Sequence, residues 1–185
     1  MSLVVLLAMV VGCAPGSASP TGAELWRVEL SNAVSDATSD WEREILQRSA
    51  EQGFISDEDF AYAEQQMMQC MADRGIPMEK VVDPDTGLVQ YETGPVFSQG
   101  DEVDTTFKEC SRANGLSVRS LYNSMRRNPD FGDPDELMAA CLVAAGLVEP
   151  GYSGEDFDRD MLSDQPSFDQ EDKRFIRCYV NPTGA

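Results

Sequence analysis

The stretch Tyr62 to Gly75 reads YAEQQMMQCMADRG. It has the pattern of the last turns of an amphipathic helix that carries Cys70 and stops at Gly75. A shorter echo, ELMAACLVAAG, runs from Glu136 to Gly146 around Cys141. In both, the cysteine precedes the glycine by five residues. Each is answered downstream by a second cysteine in a Phe-x-x-Cys step, Phe107 to Cys110 and Phe175 to Cys178, followed shortly by Asn and Gly. A unit of helix, cysteine, glycine stop, irregular excursion and returning Phe-x-x-Cys helix therefore occurs twice, over about residues 57–115 and 133–185.

Four cysteines admit three pairings. The repeat favours Cys70 with Cys110 and Cys141 with Cys178, because each bond then closes one unit on itself. The chain separations are 40 and 37 residues. On the chain-entropy account each such loop contributes about 4 kcal/mol, comparable with the whole stability of a small domain. Zinc would need close ligand pairs such as Cys-x-x-Cys. No two of these cysteines are nearer than 31 residues, so zinc is disfavoured. Disulfides require an oxidising compartment, and the N-terminus supplies the address.

Leu3 to Val11, LVVLLAMVV, is an uncharged apolar run. It suits a signal-peptide core and is too short to span a bilayer. It leads into Val10-Val11-Gly12-Cys13, which resembles a bacterial lipobox. That resemblance implies a diacylglyceryl group on the Cys13 thiol and cleavage before it. Residues 1–12 are then signal peptide and residues 13–23 a lipidated tether, rich in Pro, Gly, Ser and Thr, without apolar periodicity. An ordinary signal peptide cut near Ala18 would instead discard Cys13. Two acyl chains anchor a protein stably where one is marginal. The expected location is the outer, extracytoplasmic face of the cell membrane, with residues 24–185 as the exported domain.

Within that domain Ala23 to Gln52 reads as a long helix, with Ser39 and Asp40 as an interruption or second start. Gly53 stops it. The stretch from Gly53 to Phe60 has an EF-hand look, but Arg48, Ala50 and Gln52 would occupy ligand positions, which excludes calcium there. Ser56 instead caps a helix with Asp57, Glu58 and Asp59 in its first turn. Phe60, Ala63, Met67, Met68 and Met71 form its core stripe; the methionines read as core filling rather than soft-metal ligands. Asp83-Pro84-Asp85-Thr86-Gly87 joins two short strands as a β-hairpin. Further helices are expected from Asp104 to Ala113, from Ser117 to Arg127, from Pro134 to Ala145 and from Glu155 to Leu162. A last helix starts at Ser167 or Asp169. The expected fold is mainly α with a short β-hairpin: two similar disulfide-closed helical units packed with a long N-terminal helix.

The segment Gly53-Phe54-Ile55-Ser56, its following acids and aromatic, and then Cys70-Met71-Ala72-Asp73-Arg74-Gly75-Ile76 resembles a pattern in exported lipoproteins of actinobacteria. There a G-x-I-(S/T)-x-x-(E/D)-(Y/F) segment leads into C-M-x-x-x-G. The resemblance covers about Gly53 to Cys110 and implies location and disulfides, not an activity.

Charge limits the function. The chain carries 33 acidic and 14 basic residues, a net charge of −19, and no histidine. The absence of histidine excludes Ser–His–Asp and Cys–His catalysis and removes the commonest transition-metal ligand. The negative surface argues against nucleic acid. It suits an envelope protein partner or a cationic ligand, and solubility alone also accounts for it. The leading expectation is a non-catalytic binding or interaction module with no cofactor and no metal. A carboxylate-dependent cell-wall hydrolase is the alternative, needing two acids about 5–10 Å apart in a cleft. Cation binding at Asp83 and Asp85, or at Glu155, Asp156, Asp158 and Asp160, is a further one.

Overall fold

A computed structural model describes residues 19–94 and 100–184. The chain starts with α1 (Gly22–Ala33), opened by a capping box in which Thr21 and Glu24 satisfy each other's backbone N–H groups. A single 3₁₀ turn follows at Val34–Asp36, and then α2 (Asp40–Gln52). Of the two expectations for the N-terminal stretch, one long helix or a second start at Ser39 and Asp40, the second holds: there are two helices. Ala37 turns extended, Ser39 caps the Glu42 N–H of α2, and the Glu42 carboxylate accepts from both the N–H and the hydroxyl of Thr38. On α1, Trp26 and Leu30 face inward, while Val28 is 55% exposed.

The first unit comprises α3 (Asp57–Asp73), a hairpin of β1 (Met78–Val82) and β2 (Val89–Thr93), and α4 (Asp101–Ala113). The strands are antiparallel, with Met78 opposite Thr93 and Val82 opposite Val89. Ser56 caps α3 through the Asp59 N–H. Then come α5 (Leu116–Arg127), α6 (Pro134–Ala144), α7 (Gly154–Met161) and α8 (Lys173–Val180). The last helix begins later than expected. Residues 163–172 form turns tied by Asp160, which accepts from the Ser167 N–H, and by Asp169, which accepts from Glu171; Asp172 is the true cap.

The repeat is carried by its helix ends. After α3, the Ile76 N–H reaches the Met71 carbonyl (2.9 Å) and the Gly75 N–H reaches Ala72 (2.9 Å). After α6, the Leu147 N–H reaches Leu142 (3.0 Å) and the Gly146 N–H reaches Val143 (3.0 Å). These are two copies of the Schellman stop, each with glycine at positive φ and an apolar residue folding back on the helix. Both disulfides therefore leave their first helix one residue before the carbonyl that terminates it. Cys70 is bonded to Cys110 and Cys141 to Cys178, with Cα–Cα distances of 5.6 and 5.7 Å. The excursions between the cysteines differ: a β-hairpin in the first unit, α7 and turns in the second.

Three cores result. Leu30, Ile45, Leu46, Ile55, Ala63, Val118 and Tyr122 join α1, α2, α3 and α5. Met67, Met71, Ile76 and Cys110 fill the first unit. Met138, Leu142, Phe157, Phe168, Phe175 and the second disulfide fill the other. Helix α3 serves the first two cores at once, because Ala63 lies on its N-terminal half and Met67 and Met71 on its C-terminal half.

Candidate functional site

The second unit, with the linker of residues 128–132 that leads into it, meets the rest of the chain along a seam on which two hollows open. The Trp26 indole N–H donates to the Asn128 carbonyl (2.9 Å) across 102 residues of chain. Gly22, at the start of α1, lies directly against the Asp130 backbone. From the other side the Arg127 guanidinium stacks on the Tyr179 ring of α8 at 4.7 Å. The hairpin turn joins too: Lys173 pairs with Asp85, and Arg177 donates to the Asp85 carbonyl (3.1 Å).

Asn-Pro-Asp-Phe-Gly, residues 128–132, forms the lip of this seam. The Asn128 side chain holds Gly132 by both backbone groups, donating to its carbonyl and accepting from its N–H at 2.7 Å each. Clamping that turn leaves Phe131 at φ +55°, the sole positive φ at a non-glycine among the described residues. Such a conformation costs about 1–3 kcal/mol and persists only where the surroundings enforce it. Here it lays the Phe131 ring edge-on to Trp26, with centroids 4.7 Å apart.

Behind the lip lies a cleft of about 460 Å³ with walls from Trp26, Phe131, Leu137, Met138, Phe157 and Met161. Tyr179, Arg127 and Asp135 also line it. A second concavity of about 750 Å³ begins on the far side of Arg127 and Tyr179 and contains Lys80, Arg126 and Asp57. The two hollows share the Arg127–Tyr179 stack as a partition. An apolar, aromatic-walled cleft with a few polar groups at its rim is the usual form of a small-molecule site.

Polarity within the cleft is uneven. Arg127 has no carboxylate within ion-pair distance among the described residues, and its Nε is buried without a hydrogen-bond partner. Its neighbours are engaged. Lys80 pairs with Glu64 (2.8 Å), and Arg126 donates to the Tyr122 hydroxyl (3.0 Å), which donates to Asp57 (2.6 Å). Asp135 is in the opposite condition. Its carboxyl is held above the ordinary aspartate range, by burial first and then by the nearby Asp133, Asp158 and Glu136.

Two buried carboxylates away from the cleft have structural work. Glu42 accepts from the Ser117 N–H (3.2 Å), so it caps α5, whose own cap position is Gly115. Glu64 accepts from Lys80 and from the Tyr91 hydroxyl (2.6 Å), fastening the hairpin to α3. Burial, and then the Glu64 bond, push the Tyr91 phenol up.

The residues singled out from sequence fall elsewhere. The four cysteines form the two staples, with Cys141 and Cys178 inside the core beside the cleft. Cys13 and the segment around it lie outside the described residues. Asp83 accepts from the Asp85 and Thr86 N–H groups and the Thr86 hydroxyl, which is turn chemistry. Asp156 completes the capping box of α7, and Asp160 binds Tyr152 and Ser167. Among the described residues no three His, Cys, Asp or Glu side chains converge as a metal site, and no helix there is long and apolar enough to cross a membrane. The cleft itself went unread, because Trp26 and Phe131 belong to neither repeat. The one available signal was Asn128-Pro129 beside an aromatic and a glycine.

No protein-family model matches the chain, and no curated protein or solved structure is similar to it.

Proposed function

We propose that this chain is a non-catalytic binding module of the bacterial cell envelope that takes a small apolar ligand into the seam cleft. The observation that carries the reading is Phe131: a strained aromatic, fixed by the Asn128 clamp and set against Trp26, walls an otherwise apolar cleft of about 460 Å³. Strain at a residue whose ring lines a concavity is expected where shape is selected for binding. The lack of histidine supports the non-catalytic side of the reading.

Anchoring belongs to the same proposal. Lipidation of Cys13 would place a tether of eight residues, 14–21, between the bilayer and α1. Fully extended it reaches about 27 Å, and α1 begins beside the Asp130 backbone at the lip, so the cleft would stay close to the lipid surface. The binding test is titration of the mature domain with 1-decanol, followed by tryptophan emission in a Trp41→Phe background, where Trp26 is the one remaining tryptophan. Saturable change is expected, and it is abolished by Phe157→Arg. A linear, unsaturable response would refute the reading.

A further inference from the structure

The cleft is electrically lopsided, and that asymmetry identifies the head group of its ligand. We propose that the cleft takes a single-chain amphiphile with a carboxylate head, the tail lying along Trp26, Phe131 and Met138 and the head meeting the Arg127 guanidinium. This rests on the binding reading above and extends it to a ligand class.

Arg127 is suited to the task by what it lacks. In a chain of net charge −19 it has no carboxylate partner among the described residues, although both neighbouring cations are engaged. Its Nε is buried and its face is stacked on Tyr179, which leaves the Nη1/Nη2 end as the edge a carboxylate can meet. A guanidinium held flat by an aromatic ring loses little freedom on forming two parallel hydrogen bonds to a carboxylate. The groups facing it support the same polarity. Across the partition Lys80 is paired with Glu64, and Arg126 and Asp57 both bond to the Tyr122 hydroxyl, so among the described residues Arg127 is the cation there left without a partner. Asp135, also in the cleft lining, is crowded by Asp133, Glu136 and Asp158 and has no basic partner among the described residues. Those acids repel an anionic head, so the head is favoured at Arg127, on α5 and against α8, rather than at Asp135 on α6. The apolar wall takes the chain.

The test compares three ten-carbon probes that differ in the head alone: decanoate, 1-decanol and decyltrimethylammonium. Each is titrated below its micellar concentration into the Trp41→Phe protein. Decanoate is expected to bind about tenfold more tightly than decanol, and the cation most weakly. In Arg127→Gln the decanoate-to-decanol preference should fall to within about threefold of unity. Equal affinity of decanoate and decanol in the parent, or tightest binding of the cation, would overturn the head-group assignment while leaving the cleft a binding site. Failure of all three probes to bind would overturn the binding reading itself. Should the Gln variant not fold, the ranking of the three heads in the parent protein still decides the matter.

Discussion

Replacing Gly75, Gly146 and Gly115 singly by alanine separates backbone cost from steric cost, because all three share one conformation in different surroundings. Their φ angles are +81°, +67° and +73°. A left-handed conformation costs a non-glycine residue about 1–2 kcal/mol, and the stiffer unfolded chain returns about 0.4–1 kcal/mol. At Gly75 and Gly146 a new Cβ meets nothing within 4 Å. The net loss there should be about 1 kcal/mol at each, equal at the two because the two stops are copies of one motif. At Gly115 the Cβ would lie 2.6 Å from the Trp41 ring and 2.8 Å from the Ala63 Cβ. Neither can retreat freely: Trp41 packs edge-on to Tyr62, and Ala63 is fully buried on α3. Overpacking of this kind adds about 1–3 kcal/mol, for a total of about 3 kcal/mol. Urea unfolding with the disulfides intact reads all three free energies, and thermal melts should shift by about 2–4 °C per kcal/mol for about this size. Equal losses at Gly115 and Gly75 would refute the packing account. A difference above about 1 kcal/mol between Gly75 and Gly146 would refute the equivalence of the two units.

Removing either disulfide by paired alanine substitutions, Cys70 with Cys110 or Cys141 with Cys178, should lower stability by up to about 4 kcal/mol. The two losses should add within about 0.5 kcal/mol, since the bonds lie in separate cores; equilibrium unfolding of the four-variant cycle tests this. Glu42→Gln should cost about 1–3 kcal/mol, because its carboxylate receives Thr38 twice and the α5 N-terminus once; circular dichroism melts report it. Asp172 is held down to about 2, first by its side-chain bond to Arg174 and then by the Arg174 N–H. Its folded value lies below its unfolded one, so its contribution is complete above about pH 4 and is lost as pH falls toward 2. A carboxyl NMR titration should show the low midpoint, and Asp172→Asn should remove that part of the acid dependence.

The sequence was most legible where local chemistry and covalent spacing decide the outcome. The Cys-to-Gly step predicted two helix ends, and both ends close as Schellman stops with the expected disulfide pairs. Asp133-Pro134 with Glu136 announced the start of α6, and Asp133 caps it through the Asp135 and Glu136 N–H groups. The hairpin followed from its Asp-Pro-Asp-Thr-Gly turn. Tertiary competition is what the sequence hid. The α1–α2 break falls at Ser39 and Asp40, where the sequence offered it, but the bonds from Thr38 and from the distant α5 terminus to Glu42 that hold it there were not legible. The late start of α8 follows from Phe168, which is buried and stacked 5.2 Å from Phe175, an arrangement a continuous helix from Ser167 would not give. The cleft depends on Trp26 meeting residues about a hundred positions away, which no local pattern announces.

The binding claim is met most directly by a ¹⁵N–¹H NMR titration of the mature domain with decanoate. Saturable shifts should concentrate on the Trp26 indole N–H, which bonds to Asn128, and on the amides of Phe131, Gly132 and Tyr179 around the cleft. Shifts centred on the exposed hairpin valines Val81, Val82 and Val89, or shifts that grow without saturating, would contradict it.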